Sequence, residues 1–193
     1  IKVKAVTSDG SAVAVEGCTE TSLASGMYTA LHAKGTRVIL KGNITKLECR
    51  VNQLTALNVQ GCTALQNLSC EENQLTALNV QGLTALKVLD CSENQLSTLN
   101  VQGCTALKDL ICYKNKLNAD VFTKLFNDLP TREVSDGAEA ILYAQPGVYN
   151  PQVEDGNCKN FTTPESLKKA FEGAKAKHWK LQKAGHFGFG IDI

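Results

Sequence analysis

The segment Leu65-Gln66-Asn67-Leu68-Ser69-Cys70-Glu71-Glu72-Asn73-Gln74-Leu75 decides how the chain is read, because its pattern recurs at a fixed spacing. Residues 52–72, 73–93 and 94–114 align without gaps as three 21-residue units, and thirteen of the 21 positions are identical in all three. In the first unit these are Asn52-Gln53-Leu54, Leu57-Asn58-Val59-Gln60-Gly61, Thr63-Ala64-Leu65, Leu68 and Cys70. A partial unit with Ile44, Leu47 and Cys49 precedes them, and the last Asn-x-Leu falls at Asn115 and Leu117. A unit this short cannot bury its own apolar stripe, so neighbouring units must stack and share one core.

The spacing Leu-x-x-Leu-x-Cys-x-x-Asn-x-Leu, at Leu65, Leu68, Cys70, Asn73 and Leu75, carries the leucine-rich repeat signature. It predicts an α/β solenoid with short parallel strands on a concave face. The repeats occupy residues 44–118, between an N-terminal β cap over 1–43 and a C-terminal α/β cap over 119–193. Leu-x-Cys alternates inward and outward as a strand does. The Asn that follows closes the bend by bonding backbone groups the turn leaves unpaired. Asn52, Asn73, Asn94 and Asn115 are therefore expected to form a buried ladder.

Cys in the strand and Leu-x-Val in the segment after it resemble the internalin-like leucine-rich repeat proteins of bacterial cell surfaces, especially those of Bacteroidetes-type anaerobes. The likeness is strongest over residues 44–117. The exit segment Leu125-Phe126-Asn127-Asp128-Leu129-Pro130 and the late Ala-Lys-His-Trp extend it more weakly. The resemblance implies a secreted or surface-anchored adhesion or binding module whose partner is a protein or glycan on another cell or matrix. It gives a class and no ligand.

Solenoid ends need capping. Strands are expected at about 2–6, 11–16 and 37–41, with Asp9-Gly10 marking a hairpin turn. Beyond Leu117, Val121, Leu125 and Phe126 share one helical face, and that helix stops near Pro130. A strand over 139–144 and a loop over 145–160 follow. A second helix then starts at Thr163-Pro164, with Thr163 as its cap, and runs to about Lys177. Trp179 and Leu181 suggest another strand, and Gly185 to Ile193 a loose tail. Lys168, Lys169, Lys175, Lys177, Lys180 and Lys183 make the last 35 residues basic. A solvated helix face explains them better than a docking patch.

Twenty basic and nineteen acidic residues leave a net charge of +1, which argues against a nucleic-acid surface. No run of about 18 apolar residues is present to span a bilayer. With 43% apolar and 20% charged residues, the composition is that of a folded protein. Starting at Ile1 with neither Met nor a signal-peptide pattern, the chain is expected to be a processed or trimmed fragment.

Eight cysteines invite a disulfide framework, but Cys49, Cys70, Cys91 and Cys112 recur at one inward position. Stacked thiols in such a column act as small buried hydrophobes. A straight column does not converge on a point as zinc ligands must, so no metal or other cofactor is expected. Cys62 and Cys104 share a second column with Leu83, and Cys18 and Cys158 are not expected to pair. No phosphate-binding loop or His-Glu-x-x-His helix appears. His32, His178 and His186 lie far from any nucleophile motif, and Asp155, Asn157 and Asn160 read as turn residues. The chain is read as non-enzymatic.

What varies between units marks the expected binding face. Outward positions around each strand run Lys46, Glu48, Arg50; Asn67, Ser69, Glu71; Val88, Asp90, Ser92; and Asp109, Ile111, Tyr113, followed in turn by Val51, Glu72, Glu93 and Lys114. They change in charge and size, whereas Gln60, Gln81 and Gln102 on the far side do not. An exposed Ile111 and Tyr113 are expected to anchor a partner, since aromatic anchors dominate interfaces. Four strands give a footprint of only ~300 Å², against roughly 800 Å² per partner in a standard interface. The alternative is a spacer or stalk with no ligand of its own.

Overall fold

The computed structural model describes residues 1–145, 155–185 and 190–193. In chain order its strands are β1 (Lys2–Thr7), β2 (Val13–Glu16), β3 (Ser22–Leu23), β4 (Tyr28–Ala30), β5 (Ile39–Lys41), β6 (Ile44–Glu48), β7 (Asn67–Ser69), β8 (Ala77–Asn79), β9 (Val88–Asp90), β10 (Thr98–Asn100) and β11 (Asp109–Ile111). Helix α1 (Ala119–Asp128), a 3-10 turn (Val134–Asp136), β12 (Glu139–Ala144), helix α2 (Glu165–Ala176), β13 (Lys180–Ala184) and β14 (Gly190–Asp192) complete the described elements. The result is a mixed α/β fold, mostly strand, around one large mixed sheet that does not close into a barrel. The sheet order is β14-β13-β12-β11-β9-β7-β6-β1-β4.

Each 21-residue unit supplies one strand to this sheet. Strands β6, β7, β9 and β11 pair in parallel with Leu47, Leu68, Leu89 and Leu110 in register. All four leucines are buried, and so are Cys49, Cys70, Cys91 and Cys112 two residues on. All eight cysteines are free thiols. Burial raises the column's pKa values, that of Cys49 to about 12. Cys70 and Cys91 donate their S–H to Asp90 O and Ile111 O of the next unit, both at 3.5 Å.

The asparagines turn the chain. Asn73 Nδ2 donates to Cys49 O and Cys70 O at 3.0 Å, and its Oδ1 accepts from Asn52 N and Leu54 N at 3.1 and 2.9 Å. Asn94 and Asn115 repeat the arrangement one unit further each time. Asn52 is half-buried and bonds instead to Lys2 of β1, which stands where a preceding repeat would be. At the far end Asn157 takes the same role, accepting from Leu117 N at 2.9 Å and donating to Cys112 O and Leu142 O. Asp155 beside it accepts from the amides of Lys114, Ala144 and Asn157. These two residues therefore carry the turn chemistry past the last repeat.

Opposite the large sheet, β8 and β10 pair in parallel through Leu78 and Leu99. On that side Gln81 Nε2 donates to Gln102 Oε1 at 3.1 Å, and Asn100 Nδ2 donates to Gln81 Oε1 at 3.2 Å. Two of the three constant exposed glutamines, Gln81 and Gln102, thus bond from one unit to the next.

The flanks differ from expectation in detail. Asp9-Gly10 does form a turn, with Asp9 Oδ1 accepting from Ser11 N, but it joins no hairpin. Strand β1 enters the large sheet antiparallel to β6 and β4, whereas β2 pairs with β3 and β5 in a separate three-stranded sheet. Helix α1 is capped by Asn118, and Phe122, Leu125 and Phe126 face the core. Thr163 does not cap α2; Pro164 stands at the cap position with no side-chain bond, and Thr163 Oγ1 accepts from Asn160 instead. Lys177 is not a free surface cation. Its ammonium donates to Phe126 O, Asn127 O and Leu129 O at 2.8–3.2 Å, closing the C-terminus of α1. Trp179 is buried with Nε1 donating to Pro130 O at 2.8 Å. Most of the loop expected over 145–160, the Gly188 region and His186 lie outside the described residues; β14 pairs antiparallel with β13.

Candidate functional site

Alternation along short strands puts every second side chain on the open face of the large sheet. Cross-strand register assembles one row of Lys4, Glu48, Ser69, Asp90, Ile111, Ile141 and Gln182, and beside it a row of Val6, Lys46, Asn67, Val88, Asp109, Glu139 and Lys180. The flanking strands thus lengthen the face beyond the four repeats. Nine strands about 4.8 Å apart span roughly 40 Å, twice the length the repeats alone supply.

The face has three zones. At the β4–β1–β6 end, Tyr28 is 43% exposed and the ammonium groups of Lys2 and Lys4 stand 5.4 and 5.3 Å from its ring centre. The Tyr28 hydroxyl donates to Glu48, which also pairs with Lys46 at 2.8 Å and Lys4 at 3.5 Å. Burial pushes the Glu48 carboxyl up, but the bonds from Lys46 and Tyr28 and the charges of Lys46 and Lys4 outweigh it and hold it at about 2. Arg50 is the one exposed member of the twelve expected face residues, and its guanidinium lies 3.6 Å from Glu71.

The centre is acidic. Glu71 and Asp90 both have raised pKa values, chiefly because their carboxylates are desolvated. Glu71 Oε2 is buried without a hydrogen-bond partner among the described residues. Asp90 Oδ1 accepts from Ser92 N at 3.0 Å and Ser92 Oγ at 2.7 Å, an arrangement that buries Ser92 to 1% exposure. Lys114, expected outside, is buried and pairs with Glu93 at 3.2 Å.

The far zone is apolar, and here the expected anchors are placed differently. Ile111 and Tyr113 are half-buried, packed against Ile141, Ala144 and Ala184. They serve the junction between the last repeat and β12–β13 rather than standing free. Lys46, Glu48, Asn67, Ser69, Glu71, Val88, Asp90 and Asp109 are also half-buried and lie on the face as the repeat spacing predicts.

Sequence reasoning misses Tyr28 and Lys4, because nothing in residues 1–43 alone says that an N-terminal β cap joins the repeat sheet. The alternation Lys2-Val3-Lys4-Ala5, with Val3 and Ala5 inward, was the available signal. Among the described residues no group of three or more Cys, His, Asp or Glu is arranged to hold a metal ion. No described helix is long and apolar enough to cross a membrane. No family model, curated protein or solved structure matches the chain.

Proposed function

We propose that the chain is a leucine-rich repeat solenoid acting as a non-enzymatic interaction module, and that it binds a protein or glycan through the open face of its large sheet. The observation that carries this reading is the contrast between the two sides of each strand. Inward positions repeat Leu and Cys at every unit, while the outward row passes from cations through carboxylates to apolar groups without repetition. A spacer needs only the first property. Partner contact centres on the Tyr28–Arg50 end, where an exposed ring and an exposed guanidinium paired with Glu71 stand on the same face, since Tyr and Arg are the residue types that dominate binding energy. A secreted or surface-anchored bacterial setting belongs to the same reading and rests on the sequence resemblance.

The test is binding of the labelled protein to an array of extracellular-matrix proteins and glycans, beside a Tyr28→Ala/Arg50→Glu variant. The expected result is a hit that the variant loses while its melting temperature stays within a few degrees. A hit that survives moves the site off this end of the face. No hit at all favours the spacer.

A further inference from the structure

We infer that the outer edge of β4 takes an extended acidic peptide as an added strand of the large sheet. The inference rests on the Tyr28–Arg50 end being where a partner is met, and it names the form of that partner.

Strand β4 is the last in its sheet. Ile1 and Leu31 exchange both backbone bonds, at 2.8 and 2.7 Å, and antiparallel pairing alternates from there. Thr29 therefore faces Val3 of β1, while the amides and carbonyls of Tyr28 and Ala30 turn outward, where no strand follows. Both residues are exposed. The chain itself covers the continuation of this edge. Lys34 N donates to Gly17 O at 2.8 Å, and Thr19 N donates to His32 O at 2.9 Å. Where that segment turns away, the Glu20 carboxylate accepts from His32 N at 2.8 Å in place of a carbonyl. Cover ends there, because Thr21 O accepts from Val15 N of β2 instead. The next outward positions, Ala30 and Tyr28, are left as an open template. Apart from its short length, Tyr28-Thr29-Ala30 has none of the usual guards of an edge: no charge, proline or bulge.

The side chains behind the edge set the sign of the guest. Lys2 stands across from Ala30 and Lys4 across from Tyr28, on the open face. Ala30 places only a methyl group between the edge and Lys2. Lys2 contacts the Tyr28 ring and pairs with no described carboxylate. Glu48 is already shared by Lys4, Lys46 and the Tyr28 hydroxyl, and Glu20 is held by His32. Every second side chain of an added strand lies on the open face, so carboxylates at alternate positions meet Lys2 and Lys4 while the guest backbone bonds Ala30 and Tyr28. Main-chain bonds hold such a strand and alternate side chains select it. A second copy of β4 would instead bring another Lys2 and Lys4 to the same seam.

The probe is the end-blocked pentapeptide Glu-Val-Glu-Val-Glu, titrated into the full chain beside Lys-Val-Lys-Val-Lys while backbone amide NMR shifts are followed. The acidic peptide is expected to saturate one site below about 5 mM, with shifts centred on 28–32 and 2–4, and to bind at least about tenfold more tightly than the basic one. N-methylation of one alternate set of its amides is expected to abolish binding and of the other set to leave it, because only one set faces β4. Ala30→Pro removes an outward amide that no ladder bond uses, so it is expected to hold the melting temperature within a few degrees and to lose the peptide. If Ala30→Pro unfolds the chain, the two methylated peptides decide alone. Equal affinities for the acidic and basic peptides, equal effects of the two methylations, shifts centred elsewhere or no saturation would each overturn the assignment. So would concentration-dependent dimers that Ala30→Pro dissolves, which give the edge to a second copy. A matrix partner that Tyr28→Ala/Arg50→Glu loses and Ala30→Pro keeps would overturn the edge and leave the open face standing as the site.

Discussion

Asn94→Ala removes one member of the ladder and tests whether these side chains hold the fold. Asn94 Nδ2 donates to Cys70 O, Cys91 O and Ser92 O at 3.0, 3.2 and 3.0 Å, and Oδ1 accepts from Leu75 N at 3.0 Å. The residue is 8% exposed, and Leu75 is fully buried. A net hydrogen bond contributes about 1 kcal/mol, and a buried donor left without a partner costs about 1–3 kcal/mol. The amide's two hydrogens serve three carbonyls, so two to three effective bonds are lost and the Leu75 amide is stranded. The expected cost is about 3–5 kcal/mol, a large share of the 5–15 kcal/mol that holds a typical domain together. Asn79→Ala is the comparison, since Asn79 Oδ1 accepts only from Gln81 N, at 3.0 Å across an exposed turn. It is expected to cost under about 1 kcal/mol. Urea unfolding of the three proteins, with the slope m checked for constancy, measures both values. An Asn94→Ala cost no larger than that of Asn79→Ala would refute the ladder as a source of stability.

Other predictions follow from the same geometry. Val51 is β-branched, 63% exposed and held at φ 56°, where an L-residue costs about 1–2 kcal/mol, so Val51→Gly is expected to stabilise by about 0.5–1 kcal/mol; a lower urea midpoint contradicts this. Under native conditions a thiol reagent is expected to modify the two half-buried cysteines, Cys62 and Cys158, rapidly and the six buried ones only on unfolding; fast modification of a third site counts against the buried column. Acid unfolding separates the two ends of the face. The Glu48 carboxyl is lowered from 4.5 to about 2, so its contribution is intact above about pH 4.5 and disappears between there and pH 2, a loss that Glu48→Gln should abolish. Glu71 is raised, so its ionised form weakens the fold; Glu71→Gln is expected to match or exceed the parent at neutral pH, with the advantage vanishing as pH falls.

The 21-residue period made the centre of the fold legible because one buried pattern was written three times. Leu68, Cys70 and Asn73 could be placed inward by alternation and turn chemistry alone, and their counterparts occupy the same places. The backbone condition behind that turn was not legible: Val51, Glu72, Glu93 and Lys114 all adopt positive φ, though none is Gly or Asn. Tertiary bonding overrides their local preference, since Val51 N, Glu72 N and Glu93 N each donate to the next unit. The ends were harder because each occurs once. Nothing local in Asn157 says that it continues a ladder begun at Asn52, and its contacts with Leu117 and Cys112 reach 40 and 45 residues back. Lys177 likewise reads as one of several surface lysines until α1 is seen ending beneath it.

The same division explains why Ile111 and Tyr113, expected to be exposed, are half-buried. Within the repeats, turns are closed by buried Asn and inward apolar groups, so outward positions need not repeat one residue type, and pairs such as Lys46–Glu48 and Arg50–Glu71 can differ from unit to unit. That freedom ends where the repeats end. Strand β12 cannot present the next Leu-x-Cys, and the junction is sealed partly from the open side, by Ile111 and Tyr113 against Ile141, Ala144 and Ala184. Replacing that pair is therefore expected to lower the melting temperature, and any binding lost with it would say nothing about contact. At the opposite junction β1 supplies Val3 and Ala5 to the core and leaves Lys2, Lys4 and the neighbouring Tyr28 outside. The fold is closed from beneath there, so that end of the face keeps side chains a partner can meet.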